Sequence, residues 1–261
     1  MQLIDSHCHL DMLAPVKAGE GVAGILQEAA QQGVTHFLCV GVNLEDHPAM
    51  RELCAPHANV FTSVGLHPCG TGGREPDVAE LVKLADDTKN IAIGETGLDY
   101  YHQYTTPDEQ QARFRVHVRA AREAGIPVIV HTRMARADTL KILREEKAAE
   151  VGGVLHCFTE DWDTASAAMD LGFYVSFSGI ATFRNADDLR AVARRVPAER
   201  LLVETDSPYL APVPRRGKEN QPAWVRHVAE CLATERGEDV EALASQTSEN
   251  FFHLFVRARA A

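Results

Sequence analysis

The sequence predicts an α/β fold, a single (β/α)8 or TIM barrel, and three observations carry that prediction. Eight short β-branched or aliphatic runs punctuate the chain, at 3–6, 35–40, 60–64, 91–94, 127–130, 153–155, 173–176 and 201–203. Helix-like amphipathic stretches lie between most of them, at 22–33, 78–86, 108–125, 135–149, 163–172 and 186–196. The chain has 261 residues, close to the roughly 250 that eight βα units require.

Near-continuous apolar runs are what strands covered on both faces should show, as in a parallel sheet. Strand and helix in alternation give right-handed βαβ units. Gly33, Gly125 and Gly172 stand where helices should stop, just before the next strand. An open doubly wound sheet is the alternative. It usually carries a glycine-rich phosphate loop after its first strand, and here HCHLD occupies that place. A Pro- and Arg-rich loop at 207–222 follows the eighth run, and closing helices are expected at 224–236, 240–246 and 248–257. No linker divides the chain, so residues 1–261 are expected to form one domain.

Composition narrows the function classes. Hydrophobic residues at 45% and charged residues at 24% exclude a disordered or fibrous chain. The start MQLIDSHCHLD lacks a basic segment and an apolar core. No stretch approaches the ~18 apolar residues of a membrane span. A cytoplasmic location is therefore expected, with no membrane association. Six cysteines at 8, 39, 54, 69, 157 and 231, with no CxxC pair, fit free thiols in a reducing compartment. The net charge of −11 repels polyanions at long range and argues against a sequence-specific DNA-binding protein. It leaves a phosphate-ester substrate open, because metal ions and local arginines can dominate the field inside one cleft. No obligate protein partner is indicated.

The strongest local signal is His7-Cys8-His9 at the end of the first strand. Residues i and i+2 of a strand share a face, so both imidazoles can project into the barrel mouth while Cys8 turns away. In isolation such a pair is more often structural. The pattern recurs, however. Glu95 ends IAIGE, His131 ends PVIVH, His156 ends GGVLH, and Asp206 follows LLVET. Each apolar run stops at a residue type that binds metal, and strand ends are where a barrel of this kind builds its active site. Six such ligands exceed the need of one tetrahedral ion. Two divalent ions bridged by a carboxylate fit better. Glu95 is the expected bridge. His7, His9 and Asp206 are expected on one ion, and His131 and His156 on the other. Asp206 can also take a proton from attacking water. Mg, Mn or Zn are all compatible, with mixed His and carboxylate ligands leaving the identity open.

Further candidates carry two readings each. His67 in GLHP either contacts substrate or is a loop histidine. Arg133 faces the mouth if the strand register persists, to grip a phosphate or to pair with a ligand carboxylate. Glu204 shares a face with Asp206 and can support the ligands. Asp99, with Tyr100 and Tyr101, is expected in the loop after the fourth strand, where the rings either stack on a base or sugar or simply pack. Arg215, Arg216 and Lys218 form a basic cluster after the eighth strand, either solvated or phosphate-binding. Of the other histidines, only His102 stays of interest, because it follows the tyrosine pair.

These motifs together resemble the TatD family of metal-dependent deoxyribonucleases. The matching stretches are IDSHCHLD at 4–11, GLHP at 65–68, IGETGLDY at 93–100, PVIVHTR at 127–133, LHCF at 155–158 and LVETDSPYL at 202–210. The likeness runs from residue 2 to about residue 255, in the family's order and spacing. It implies an amidohydrolase-type barrel, two divalent ions and hydrolysis of phosphodiester bonds in DNA, often from the 3′ end. It also implies metal ligands at His7, His9, Glu95, His131, His156 and Asp206, with His67 and Arg133 at conserved family positions. One departure is Glu219 in RGKENQP at 216–222, where members often carry a basic residue.

The expected function is thus a deoxyribonuclease, a 3′–5′ exonuclease on single strands or ends. A barrel mouth admits an end more readily than a continuous duplex. A hydrolase of a small carboxylic ester, amide or lactone is the first alternative, because the same ions serve acyl chemistry. A non-catalytic metal-bound scaffold is the second.

Overall fold

The computed structural model describes residues 2–71, 73–102 and 104–259. Its eight strands are β1 (Leu3–Cys8), β2 (Val34–Cys39), β3 (Val60–Val64), β4 (Asn90–Asp99), β5 (Val128–Arg133), β6 (Gly153–Leu155), β7 (Phe173–Phe177) and β8 (Leu201–Val203). They form one sheet in sequence order, every neighbouring pair parallel. The seam between β8 and β1 is bridged by backbone. Asp206 N donates to the His7 carbonyl at 2.9 Å, and His9 N donates to the Ser207 carbonyl at 2.8 Å. Buried Asp5 adds a side-chain stitch, accepting from Thr205 N at 2.8 Å and the Thr205 hydroxyl at 2.6 Å. The predicted barrel is what the chain forms.

Ten α-helices accompany the strands among the described residues: α1 (Ala14–Lys17), α2 (Ala23–Gln31), α3 (His47–Cys54), α4 (Val78–Leu84), α5 (Pro107–Ala124), α6 (Arg136–Glu145), α7 (Trp162–Met169), α8 (Asp187–Arg195), α9 (Val225–Arg236) and α10 (Val240–Leu254). The longest, α5, has clear local causes. Thr106 and Glu109 cap it reciprocally, Pro107 opens it, and Gly125 closes it in left-handed backbone at φ 65°. At the N-termini of α4, α7 and α10, the side chains of Asp77, Asp161 and Asp239 accept from backbone N–H groups of the first turn.

Three expectations change. No helix was expected at α3, where only His47, Met50 and Cys54 are buried and the apolar signal is thin. The two closing helices at 240–246 and 248–257 are one continuous α10. Its polar pair at the expected break is satisfied without breaking the helix. The Thr247 hydroxyl donates back to Ala244 O at 3.2 Å, and Ser248 Oγ donates to Gln2 O at 3.1 Å. Finally, Asp99 lies in β4, not in a loop, paired opposite Arg133 of β5.

The core has two compartments. The barrel interior holds Ile4, Leu38, Val40, Phe61, Ile129 and Leu202, with Phe251 of α10 and Phe255 just after it packed into the same cluster. Because α10 bonds to Gln2 O and Leu201 O at the strand starts, those rings plug the amino end of the barrel. A larger apolar layer lies between strands and helices. No described helix is long and apolar enough to cross a membrane.

Candidate metal centre

Plain alternation delivers most of the site. In β5, Ile129 points inward and is followed on the same face by His131 and Arg133. Val154 of β6 leads in the same way to His156, and Leu202 of β8 to Glu204, whereas Asp206 lies beyond β8 in left-handed backbone at φ 56°. Two strands need an irregularity. Leu3 and Cys8 both pack in the strand–helix layer, although their spacing would put them on opposite faces of a regular strand. The register of β1 against β2 shifts between Asp5 and Cys8, and this turns His7 and His9 inward. In β4 the register against β5 shifts between Ile93 and Thr96, around Glu95.

The two oxygens of Glu95 divide the histidines. Oε2 lies 3.3 Å from His7 Nε2 and 3.9 Å from His9 Nε2. Oε1 lies 2.7 Å from His156 Nε2, 3.3 Å from His131 Nδ1 and 3.1 Å from His67 Nε2. Asp206 Oδ1 sits 3.5 Å from His9 Nε2 and 3.7 Å from His7 Nε2. His7 and His156 stack face to face, 3.9 Å between ring centres. The residues expected to bridge, and those expected on either side, thus converge at one rim. His156 stands closer to the His7 side than the two-group division foresaw, and the set His7, His156 and Asp206 also has ligand spacing.

Hydrogen-bond partners fix the tautomers. His9 Nδ1 faces the Val40 carbonyl at 2.9 Å, so Nδ1 is the nitrogen that would keep its proton when a cation takes Nε2. His131 Nε2 is hydrogen-bonded to Asp99 Oδ2 at 3.1 Å, while Glu204 Oε1 lies 3.4 Å from His156 Nδ1 as an ion-pair neighbour. Their opposite nitrogens are both aimed at Glu95 and are the ones a cation would take. Such carboxylate–histidine pairs are the usual support of metal ligands. Burial alone would raise the Asp99 carboxyl, but the hydrogen bonds from His131 and His102 overcome it and hold it far below the usual range. In the same way, the His9 hydrogen bond and the charges of His7 and His156 outweigh burial and keep Asp206 ionised.

This arrangement fits divalent cations. The ring nitrogens of His7 and His156 are buried without a hydrogen-bond partner. Buried carboxylates and orphaned imidazole lone pairs converging on one point are costly unless a cation joins them. His67 is different. Cys69 N donates to its Nδ1 at 3.0 Å, so Nε2 carries the proton and donates to Glu95. Burial also lowers its pKa and keeps it neutral. Although His67, Glu95 and His131 have ligand spacing, this tautomer makes His67 a hydrogen-bond donor.

A cavity of about 990 Å³ opens over the cluster. His67, Asp99 and Arg133 line it. Asp99 is almost fully enclosed, and its carboxylate is engaged by His131 and His102. Glu204 is not a substrate contact. It is fully buried behind His156 and accepts from Cys157 N at 2.7 Å. Tyr100 does not stack in the mouth, because its hydroxyl reaches back to Asp138 at 2.8 Å in the helix layer. Arg216 lies outside the lining, its guanidinium 3.9 Å over the Phe183 ring and bonded to Ala211 O. Lys218 is exposed and likewise outside it. Glu219 turns its carboxylate to Ala14 N, at the start of α1, and away from the cavity.

Sequence reasoning did not anticipate Cys69, whose backbone N–H sets the His67 tautomer. No side-chain pattern signals a backbone contact. Tyr104, Phe183 and Tyr209 also line the cavity unanticipated. Tyr209 was within the matched SPYL stretch and carried that one signal.

A parallel eight-stranded barrel with this His and carboxylate cluster at its carboxyl rim defines a metal-dependent hydrolase. Residues 4–256 match the family described as TatD related DNase. The chain is 55% identical to the metal-dependent hydrolase YcfH of Escherichia coli K12, over 98% of this chain and 96% of that one. It is 34% identical to the 3′-5′ ssDNA/RNA exonuclease TatD of Klebsiella pneumoniae, over 88% of this chain and 90% of that one. The crystal structure of YJJV, a TatD homologue from E. coli K12, superposes with a TM-score of 0.87 at 26% identity, covering 97% and 98% of the two chains. The chain belongs to the TatD family.

Proposed function

We propose that the protein is a 3′–5′ exonuclease that hydrolyses phosphodiester bonds at the ends of single-stranded DNA, acting as one barrel domain. The observation that carries this reading is the pairing of a cation-ready cluster with two phosphate-seeking groups. His67 offers an N–H and Arg133 a guanidinium, both lining one cavity with Glu95 and Asp206. The exonuclease relative supports the substrate class.

Two divalent cations, of Mg, Mn or Zn, are assigned to His7, His9 and Asp206 on one side and His131 and His156 on the other, with Glu95 between. Bound there, they supply Lewis acidity toward a water nucleophile and the phosphoryl oxygens. Asp206 takes the proton of the attacking water. His67 and Arg133 hold the phosphoryl oxygens as charge grows on them. Asp99 and Glu204 keep His131 and His156 in the tautomers described above. The new P–O bond forms on the water oxygen and the bond to the sugar 3′-oxygen breaks.

The test is end-labelled single- and double-stranded DNA with divalent cation, against a chelator control. A ladder shrinking from the 3′ end of the single strand is expected. Hydrolysis of carboxylic esters or lactones, with no DNA product, would assign the site to acyl chemistry instead.

A further inference from the structure

Among the described residues, the exposed large apolar side chains are Tyr101, Tyr104, Met134, Tyr209, Val213 and Val256. All but Val256 lie on the loops that follow β4, β5 and β8, at the carboxyl rim. Singly exposed apolar residues are ordinary. Their gathering around one mouth is not. In a ring of eight strands, β4 and β8 stand opposite each other, so Tyr104 and Tyr209, which both line the cavity, stand on opposite sides of the opening, with Tyr101 close to Tyr104 in sequence but outside the lining.

Both walls present rings in ordered settings. Arg133 lies 4.2 Å over the Tyr101 ring. His102 and Tyr104 are parallel within 9°, 5.7 Å between centres. On the other side Tyr209 stands edge-on to His9 at 6.3 Å, with Phe183 lining the same cavity. The histidine and carboxylate cluster lies on the floor between the walls.

We propose that the two aromatic walls stack unpaired bases on either side of the scissile phosphate, making the site selective for single strands and tolerant of base identity. This rests on the nuclease reading above. Every base has an apolar face that an aromatic ring accepts, whatever its hydrogen-bonding edge. In a duplex those faces are already covered by neighbouring pairs, so only unpaired nucleotides reach the walls. Arg133, held over Tyr101, sits where a phosphate between two stacked bases passes. The occupant is a nucleic-acid strand and not a protein partner, because the apolar rim encloses a carboxylate- and imidazole-lined cavity and forms no continuous face.

The test is a cycle in which protein and substrate are both varied. Fluorescent single-stranded oligonucleotides, intact or with abasic residues beside the terminal phosphodiester, are bound to the metal-loaded Asp206→Asn protein and read by anisotropy. Tyr104→Ala and Tyr209→Ala are then added to that background, with Tyr→Trp at each position as the conservative partner. Each alanine should weaken intact oligonucleotides about 5- to 100-fold. It should leave abasic ones within about twofold, and tryptophan should restore binding. Equal weakening of intact and abasic strands, or none of either, overturns the stacking proposal and leaves the nuclease reading intact. Absence of DNA binding and cleavage by the unaltered protein overturns the nuclease reading itself.

Discussion

The imidazoles of His7 and His156 lie parallel within 11°, 3.9 Å between ring centres, although one comes from β1 and the other from the residue just after β6. Two imidazolium rings at that separation would repel. Burial and the neighbouring His156 lower the pKa of His7, while Glu95 and Glu204 overcome burial and raise that of His156. One ring is therefore neutral and offers a lone pair without a cation present. A cation taken up at His156 would displace its second proton and remove the mismatch.

Metal loading should stabilise the fold as well as enable hydrolysis. Chelated protein should melt several degrees lower than protein with saturating divalent cation, since ligands that bind only the native state raise stability by mass action. Glu95→Gln removes the charge shared by both sides and should erase most of that shift. A Glu95→Gln protein with an undiminished melting response would contradict a bridging role.

Glu204 holds His156 and touches nothing in the cavity. Glu204→Gln keeps an acceptor for Cys157 N but weakens the pull on the His156 proton. Cation affinity should fall about 10- to 100-fold, measured by competition with a chelating dye. Activity at saturating cation should recover much of its value. A loss that saturation does not relieve would place Glu204 in contact with substrate.

His67 donates and does not ligate. His67→Ala should lower kcat by about 100- to 1,000-fold, the usual cost of one lost oxyanion donor. Bound metal per chain, counted by atomic emission, should stay the same as in the unaltered protein. A drop in stoichiometry would return His67 to the ligand set.

His117 ties the fold to pH. It is buried in α5, bonded through Nδ1 to Arg113 O at 2.8 Å, and it accepts Leu66 N at 2.9 Å beside His67. Burial lowers its pKa from 6.5 to about 4. The unfolded chain therefore takes up this proton first. Stability from the neutral ring is complete above pH 6.5 and is lost as pH falls toward about 4. The loss should be roughly 3 kcal/mol over that window. Urea unfolding between pH 7 and 4 should show it, and His117→Gln should flatten the slope while lowering stability at pH 7.

The barrel was legible because its strands are short apolar runs separated by helix-like stretches, and the rim residues because five of those runs stop at or near a metal-binding residue type. His131 and His156 follow from alternation alone. His7, His9 and Glu95 were found by type, yet they face inward only because β1 and β4 shift register, which no residue pattern announces. Glu204 was read as a support from its place beside Asp206, and it lies buried next to His156. Asp99 was expected in a loop because sequence shows polarity at a rim but not depth, and it lies buried in β4 against His131. Arg216 and Lys218 were suggested by charge, but that loop directs Arg216 onto Phe183 instead.

Phe251 and Phe255 make the barrel a blind well. For the exonuclease proposed above, a nucleic-acid strand could not be drawn through it and out of the far side, so its terminus would descend only as far as the floor. Each freed nucleotide would then climb back out by the opening through which the next one enters. Departure and advance therefore compete for one doorway, and trapped mononucleotide is expected to slow every following cut.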